Sequence, residues 1–174
     1  MEIRPATAAD RPDIDALLDA AFGPGRHERT ASLLRARAEP IEPVSLVARA
    51  GARLLGSIQY WPIDLAADEA VISLTLLGPV AVAAQARTLG LGRRLIAASL
   101  AIADARGLGP ILLIGDASYY GPFGFEASAT IGWSLPGPVE RDRLLLRHRA
   151  RYPLPATATV RAATSEAGSP ITVA

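Results

Sequence analysis

Three residue types are missing from this sequence of 174 residues: cysteine, lysine and asparagine. Without cysteine the chain has no thiol nucleophile, no disulfide and no thiolate metal ligand. Without lysine it has neither a Schiff-base amine nor the phosphate-binding lysine of P-loop proteins. Large classes of enzyme are therefore excluded.

A strong excess of one charge and a long apolar run are also lacking. The net charge of +1 gives no reason to expect a polyanionic partner, so we predict no nucleic-acid binding. No apolar run reaches the ~18 residues of a membrane span, and the N-terminus lacks the apolar region of a signal peptide. We therefore expect no membrane association and a cytoplasmic location.

The length and composition predict one globular domain, because half the residues are hydrophobic and a fifth are charged. We place this domain at residues 1–155. The segment 156–174, rich in alanine, threonine and serine, has little to bury, and we expect at most one strand or a flexible tail there.

Hydrophobic periodicity predicts a mixed α/β fold. The predicted elements are a strand over 3–6, helices after an Asp10 N-cap and over 26–38, strands over 45–49, 54–63 and 70–82, a helix over 91–105, a buried strand over 111–114, a helical turn at Tyr119-Tyr120, a strand starting at 123–125 and a segment over 143–149. For that last segment a strand is favoured over a helix. The unit from Leu74 to Ile114 is predicted to be strand, helix and parallel strand.

A glycine-bearing turn, Arg87-Thr88-Leu89-Gly90-Leu91-Gly92, lies where a strand leads into a helix. Its free amides coincide with the positive end of the helix dipole, which favours an anion. Gly90 and Gly92 let the backbone approach a phosphate, and Arg93 and Arg94 add positive charge. The alternative is a tight turn with solvated arginines.

A dinucleotide-binding turn is rejected. Leu95 occupies the position of the third glycine, and neither Asp104 nor Asp116 lies at the distance of the ribose-binding acid.

At these residues the sequence resembles the GNAT superfamily of N-acetyltransferases. Arg87, Gly90 and Gly92 match the signature [R/Q]-x-x-G-x-[G/A], and Tyr120 with Gly124-Phe125 looks like the family's Y-x-x-x-G-F element. The resemblance covers residues 3–125 and is strongest to a bacterial branch of predicted, mostly uncharacterised acetyltransferases. It implies a GNAT-like α/β fold, with a mixed, mostly antiparallel sheet flanked by helices on both faces and a parallel strand pair splayed around the cofactor.

The resemblance implies acetyl-CoA as the acetyl-donor cosubstrate, without a metal. The turn's amides would hold the pyrophosphate, the Thr88 side chain would add a hydrogen bond, and the backbone of two valines would face the pantetheine arm. The implied cofactor-binding residues are Val80, Val82, Arg87, Thr88, Leu89, Gly90, Leu91, Gly92 and Arg93. The family's longer helix, with an asparagine upstream of the tyrosine, has no counterpart in this chain.

Tyr120 occupies the family's position for the catalytic acid. A tyrosine stays protonated at neutral pH and can donate to a leaving thiolate. The alternative is a buried helix residue whose hydroxyl is satisfied by backbone. Tyr119, one residue earlier, is expected to be a packing residue.

No general base is evident on the strand over 70–82, which is neutral throughout. Asp116 is the nearest candidate, although an N-cap role is favoured for it. His27 and His148 are isolated, so we interpret them as surface or core residues. A proton path through water, or an acceptor that binds as the neutral amine, stays open.

Acceptor recognition has two groups of candidates. The first is aromatic and suits either a pocket lining or the core: Phe22, Tyr60, Trp61 and Trp133. The second suits either an acidic acceptor or a solvated strand face, the latter being favoured: Arg141, Arg143, Arg147, Arg149 and Arg151.

The leading hypothesis is an N-acetyltransferase acting on a primary amine of a small molecule or on a protein N-terminus. The alternatives are a non-catalytic acyl-CoA binding or sensing module and a nucleotide-binding structural protein. The oligomeric state stays open, with a homodimer among the options.

Overall fold

A computed structural model describes residues 1–36, 38–68, 70–148 and 153–164. Its strands are β1 (Glu2–Pro5), β2 (Leu46–Ala50), β3 (Arg53–Ala67), β4 (Ala70–Val82), β5 (Ile111–Ile114), β6 (Gly132–Ser134), β7 (Leu144–Arg147) and β8 (Thr157–Ala162). Its helices are α1 (Arg11–Phe22), α2 (Thr30–Leu34), α3 (Leu91–Ala105) and α4 (Ala117–Tyr120).

The strands form one sheet in the order β1-β2-β3-β4-β5-β7, with β8 pairing both β3 and β6. Most neighbours are antiparallel. The exceptions are β4 with β5 and β6 with β8, which are parallel. The predicted fold, a mostly antiparallel sheet with a parallel strand pair at the crossover helix α3, is therefore confirmed.

The longest strand, β3, has two different neighbours along one edge. Its first part pairs with β2, from Ala50–Arg53 to Leu46–Ile58. Its second part pairs with β8, from Ile63–Ala162 to Ala66–Thr159. β4 follows the other edge of β3 along nearly its whole length. The strand β8 thus completes an edge that β2 leaves uncovered.

Helices cover both faces of the sheet, because successive strand residues point to opposite sides. Leu46 and Ala48 pack in the cluster that contains Leu95 of α3. Val47, between them, packs with Ile14 of α1 on the other face. Further along that second face, α2 contributes to a cluster around Trp133. The sheet is consequently sandwiched between helices.

Two predicted elements are wrong in form. The helix expected over 26–38 is a 3-10 turn, Pro24–Glu28, followed by the short α2. Arg29 between them is extended, with φ −73° and ψ 148°, and interrupts the helical hydrogen bonds. No strand forms at 123–125: Gly121–Phe123 is a 3-10 turn that ends at Gly124 with φ 86°, and Glu126 then makes a single bridge to Leu146. The favoured strand in 143–149 is confirmed as β7, and Arg149 lies outside the described residues.

Asp10 precedes α1 as predicted, but its side chain does not cap that helix. The buried carboxylate accepts hydrogen bonds from the Thr7 amide at 2.9 Å and from Arg4 at 2.8 and 2.9 Å. Arg49 also donates to it, at 3.0 Å. The two guanidinium groups give Asp10 a role in joining β1, β2 and the start of α1.

Candidate active site

The glycine turn opens α3 without a side-chain cap. Gly90 occupies the N-cap position in the left-handed region, with φ 63° and ψ 18°, which glycine adopts without a steric penalty. The first hydrogen bond of the helix runs from the backbone amide of Arg94 to the Gly90 carbonyl, at 3.2 Å. The amides of Leu91, Gly92 and Arg93 precede that bond and have no partner in the helix. They lie at the positive end of the helix dipole, as an anion site requires.

A cleft of about 440 Å³, which we call the glycine-turn cleft, adjoins these amides. It is lined by Ala21, Phe22, Val80, Ala81, Val82, Arg87, Gly90, Gly92, Arg93, Tyr119 and Tyr120. Six of the nine residues proposed for cofactor binding are thus together. Thr88 and Leu89 do not line the cleft, and the Leu91 side chain is buried in the core.

β4 and β5 diverge before β4 reaches the cleft. Their parallel pairing ends at Leu76–Leu112. Just beyond, β4 carries a bulge: Leu77 pairs with Tyr60 and Val80 with Ile58, so that two residues of β4 face one residue of β3. A bulge bends its strand and redirects its end. The half-buried Val80 and Val82 follow this bend with β3 on one edge only.

Tyr120 ends α4, a single turn whose N-cap is Asp116. The Asp116 carboxylate accepts hydrogen bonds from the amides of Ser118 at 2.7 Å and Tyr119 at 3.3 Å, which confirms its predicted N-cap role. These hydrogen bonds lower the pKa of Asp116, those from Ser118 most. A carboxylate that is stabilised as the anion is a poor base, so Asp116 is unsuited to remove a proton.

The half-buried Tyr120 ring packs edge-on against Tyr119, at a centroid distance of 5.0 Å, and Phe125, at 6.1 Å. Its hydroxyl makes no hydrogen bond to any residue in the described ranges, so the alternative of a backbone-satisfied hydroxyl finds no support there. Burial raises the pKa of Tyr120 to about 12, with a smaller contribution from Tyr119. The phenol therefore remains protonated at neutral pH.

Arg93 connects the glycine turn to the tyrosine turn. Its guanidinium carbon lies 5.7 Å from the centroid of the Tyr119 ring and 5.0 Å from that of Phe123. These are cation–π distances. The sequence indicated Arg93 only as a source of charge and a backbone amide, since the pairing with two rings from another turn has no local signal.

A second and larger space, the wide cavity, has a volume of about 570 Å³. It meets the glycine-turn cleft at three shared residues, Phe22, Val80 and Tyr120. α1, α2, the β4 bulge, the end of β5 and residues 138–143 contribute its lining. Tyr120 therefore lies where two cavities join, which suits a group that acts between two substrates.

Charged side chains of both signs line the wide cavity. They are Arg26, Glu28, Arg29, Arg35, Asp116, Glu140 and Arg143. Sequence reasoning identified only Asp116 and Arg143 among them. The others come from the broken second helix and from a loop more than 100 residues later, and no local pattern places those two segments together.

Of the four aromatic candidates, Phe22 alone lines either of these two cavities. Tyr60 is fully buried, and its hydroxyl is 2.8 Å from that of Ser99. Trp133 is fully buried too, and its indole N–H donates to the Pro155 carbonyl at 2.9 Å. Trp61 packs against the cluster around Trp133. Tyr60 and Trp133 therefore belong to the core, and the half-buried Trp61 packs beside it.

The arginines near β7 have separate roles. Arg147 forms a bidentate pair with Asp104, at 2.7 and 2.8 Å, and donates to the Phe123 carbonyl at 3.0 Å, so the favoured solvated-face interpretation is wrong for it. Arg141 donates to the Trp133 carbonyl. The exposed Arg143 lines the wide cavity. Arg149 and Arg151 lie outside the described residues.

His27 and His148 are exposed and line neither cavity. In the described part of the chain no group of three or more histidines, aspartates and glutamates is arranged to hold a metal ion. No described helix combines the length and the apolar character needed to cross a membrane.

The family profile for the acetyltransferase (GNAT) domain matches residues 2–128. Two solved structures share this architecture. A GNAT family N-acetyltransferase, YhbS, from Escherichia coli, solved in complex with CoA, is 24% identical with a TM-score of 0.68, over 84% of this chain and 79% of that one. A GNAT family acetyltransferase from Brucella melitensis, in complex with acetyl-CoA, is 28% identical with a TM-score of 0.60, over 86% and 96% respectively. No curated protein sequence matches the chain significantly.

Proposed function

Because the chain belongs to the GNAT acetyltransferase family, we propose that it is an N-acetyltransferase that transfers the acetyl group of acetyl-CoA to a primary amine. The acceptor is a small molecule or a protein N-terminus, and its nitrogen attacks the thioester directly. The observation that carries this proposal is the position of Tyr120 at the junction of two cavities, one with an anion-binding helix end and one with charged walls.

The glycine-turn cleft fits the cosubstrate. An uncapped helix N-terminus, two glycines and Arg87 provide N–H donors and positive charge for a pyrophosphate. The backbone of Val80 and Val82, on the bent end of β4, faces the space that a pantetheine arm needs. In support, the related proteins from E. coli and B. melitensis were solved with CoA and acetyl-CoA.

Bound acetyl-CoA supplies an activated acetyl group as a thioester. The neutral amine forms a C–N bond to the carbonyl carbon while the C–S bond breaks. Tyr120 acts as the acid by donating a hydrogen bond from its O–H to the leaving sulfur, which stabilises the negative charge that develops there during C–S cleavage. The free thiol has a pKa of about 8.5, well below that of Tyr120, so the phenol keeps its proton and the sulfur leaves as the thiolate. The proton released from the nitrogen passes to water.

Removal of the ammonium proton is left to water. The exposed Glu28 and Glu140 line the wide cavity, but no hydrogen bond to a described residue fixes either carboxylate. Asp116 is occupied as the cap of α4. β4, which is described throughout, carries no carboxylate. An acceptor amine that enters in its neutral form therefore suits this cavity.

The lack of a carboxylate on β4 also favours a second candidate, a non-catalytic acyl-CoA binding or sensing module. Such a module would retain the glycine-turn cleft without productive proton transfer. It predicts binding of acetyl-CoA without transfer to any amine.

Two measurements test the proposal in sequence. Calorimetric titration with acetyl-CoA, using NAD and ADP as controls, should show micromolar binding that is selective for acetyl-CoA. A thiol-release assay with a broad panel of amines should then show acceptor-dependent turnover. Binding without turnover on any amine favours the sensing module. Equal binding of ADP and acetyl-CoA contradicts both candidates.

A further inference from the structure

Arg35 is the most deeply placed cation of the wide cavity without a carboxylate partner. It follows α2, lines the cavity and donates from Nη2 to Ser32 Oγ at 2.8 Å. Its guanidinium carbon lies 5.6 Å from the centroid of the Trp61 ring. Across residues 1–36, 38–68, 70–148 and 153–164 no carboxylate forms an ion pair with it.

The other half-buried arginines of the described chain that pack beside helices form ion pairs with carboxylates. Arg26 pairs with Asp15 and Asp19 at 3.2 and 2.6 Å. Arg147 has its bidentate pair with Asp104. A partly desolvated cation costs free energy unless an anion and hydrogen bonds compensate it. Among the half-buried arginines of the described residues, Arg35 therefore lacks an anion to compensate its positive charge, and a bound anionic ligand would provide one.

The environment of Arg35 supports this interpretation. Burial, with Arg26 as a smaller cause, lowers the pKa of Arg35 to about 10. The side chain nevertheless stays charged at neutral pH. Its planar fork of N–H donors matches the two oxygens of a carboxylate, and a single hydrogen bond to Ser32 leaves most of those donors available.

The cavity walls also limit the ligand's charge. The four arginines and three acidic residues of the lining sum to a formal charge of only +1, and Glu28 and Glu140 would repel a doubly charged phosphate more than a singly charged carboxylate. Both carboxylates are compatible with an amino group on the same ligand. The volume of about 570 Å³ lies within the range of small-molecule sites.

We propose that the acceptor is an amine that also carries a carboxylate, and that Arg35 binds this carboxylate. This inference rests on the proposed function, because it identifies the chemical class of the acceptor. Arg35 is in this view a specificity-determining residue, and it takes no part in the bond-making step.

The test uses a panel of L-amino acids and the matching L-amino acid amides, which lack the negative charge. Because the amide group also lowers the pKa of the amine, each rate is normalised to the fraction of neutral amine. With acetyl-CoA and the full-length protein, kcat/KM should be at least about tenfold higher for the acids, as expected for a charge-assisted bidentate contact. The Arg35→Gln variant should lower this ratio to near one. Arg53→Gln, which removes an exposed arginine outside both cavities, should keep the wild-type ratio.

Two further arms separate the possible outcomes. Aminophosphonate analogues of the same amino acids should be poorer acceptors than the acids; a preference for them contradicts the carboxylate assignment. Arg35→Lys should be intermediate, because lysine retains the charge but lacks the bidentate fork.

Binding provides a readout that does not depend on turnover. In the presence of CoA, an amino acid of the panel should raise the thermal midpoint of the wild type by roughly 2 to 4 °C and leave that of Arg35→Gln unchanged. Equal rates for acids and amides, or equal thermal shifts in both proteins, overturn the inference while the proposed function stands. If the wild-type protein neither binds acetyl-CoA nor transfers its acetyl group to any amine, the proposed function is contradicted. The thermal shifts of the wild type and of Arg35→Gln then still decide whether Arg35 binds the carboxylate.

Discussion

Gly115 and Tyr120 are in contact through the space that a side chain at residue 115 would fill. A Cβ atom built on Gly115 would lie 2.8 Å from Cδ2 of Tyr120, and closer still to Cε2. Carbon atoms attract one another best at about 3.5 to 4.0 Å, so this position excludes every residue except glycine while the ring stays in place. The last residue before the Asp116 cap thus sets the position of the tyrosine that we propose as the acid.

We expect Gly115→Ala to displace the Tyr120 ring and lower kcat by at least about tenfold, a loss of roughly 1.4 kcal/mol of transition-state stabilisation. Steady-state kinetics with saturating acetyl-CoA measures this effect. Gly25→Ala is the matched control, because a Cβ there meets nothing within 4 Å. Equal kcat values for the two variants would show that the Tyr120 ring position is unimportant.

Tyr120→Phe removes the proposed proton donor and keeps the ring. We expect kcat to fall by about 100-fold, as is typical when a general acid is lost, with little change in the affinity for CoA. Tyr60→Phe is the control: its hydroxyl is buried 2.8 Å from that of Ser99, so that variant should lower stability but not kcat. A Tyr120→Phe variant with wild-type turnover would remove the residue from the mechanism.

The raised pKa of Tyr120, about 12, predicts the alkaline side of the rate profile. Because the phenol stays protonated well above pH 10, kcat should not fall between pH 8 and 10. The rate should rise instead wherever a larger fraction of the acceptor amine is neutral. A decrease with an apparent pKa near 9 would point to a different acid.

Arg87 lines the glycine-turn cleft, and we expect Arg87→Gln to weaken CoA binding by about 10-fold to 100-fold. The loss should shrink as salt is added, since it is electrostatic. Calorimetric titration measures it. Arg106→Gln removes the same charge from the other end of α3 and should bind CoA normally. Similar losses in both variants would indicate a general charge effect.

Asp10 should control stability at low pH. The hydrogen bonds from Arg4, ahead of the opposing effect of burial, lower its pKa far below the usual value. A carboxyl group with a depressed folded pKa stabilises the protein fully above its unfolded pKa of about 3.9, and this contribution is lost as the pH falls towards the folded pKa. The free energy of unfolding should therefore decrease below pH 4.

Asp10→Asn is expected to cost about 3 to 5 kcal/mol at pH 7, because it leaves two guanidinium groups near a buried neutral side chain. Asp15→Asn removes an exposed carboxylate and should cost less than about 1 kcal/mol, because Asp19 still pairs with Arg26. Urea unfolding at pH 7 and pH 3 measures both. A cost for Asp10→Asn that does not diminish at pH 3 would contradict the ionic explanation.

The part of the fold predicted from sequence is the part with local signals. The unit β4, α3 and β5 was predicted with nearly its observed limits, because a helical stripe and a continuous apolar run define it. The second helix was predicted too long, since periodicity does not show that Arg29 is extended. Contacts such as Gly115 with Tyr120, or Arg35 with Trp61, depend on tertiary packing, and no pattern in the sequence predicts them.

In the candidate site too, the parts with local sequence signals were predicted and the parts that depend on tertiary packing were not. The glycine turn was identified because a helix end, its glycines and its arginines are adjacent in sequence. The charged lining of the wide cavity was largely missed, because Glu28 and Glu140 are brought together only by the folded chain. Among the aromatic residues, hydrophobicity alone did not separate Phe22, at a cavity, from Trp133, in the core.

The shared edge of β3 has a consequence for synthesis on the ribosome. Its residues Ile63–Ala66 pair with β8, which is made almost 100 residues later. At about 5 to 20 residues per second, these backbone groups wait on the order of ten seconds for their partner. During that interval the nascent chain presents an open strand edge, the kind of surface that joins other chains. The yield of folded protein should therefore depend on chaperones that protect this edge during translation, even though the finished sheet is stable.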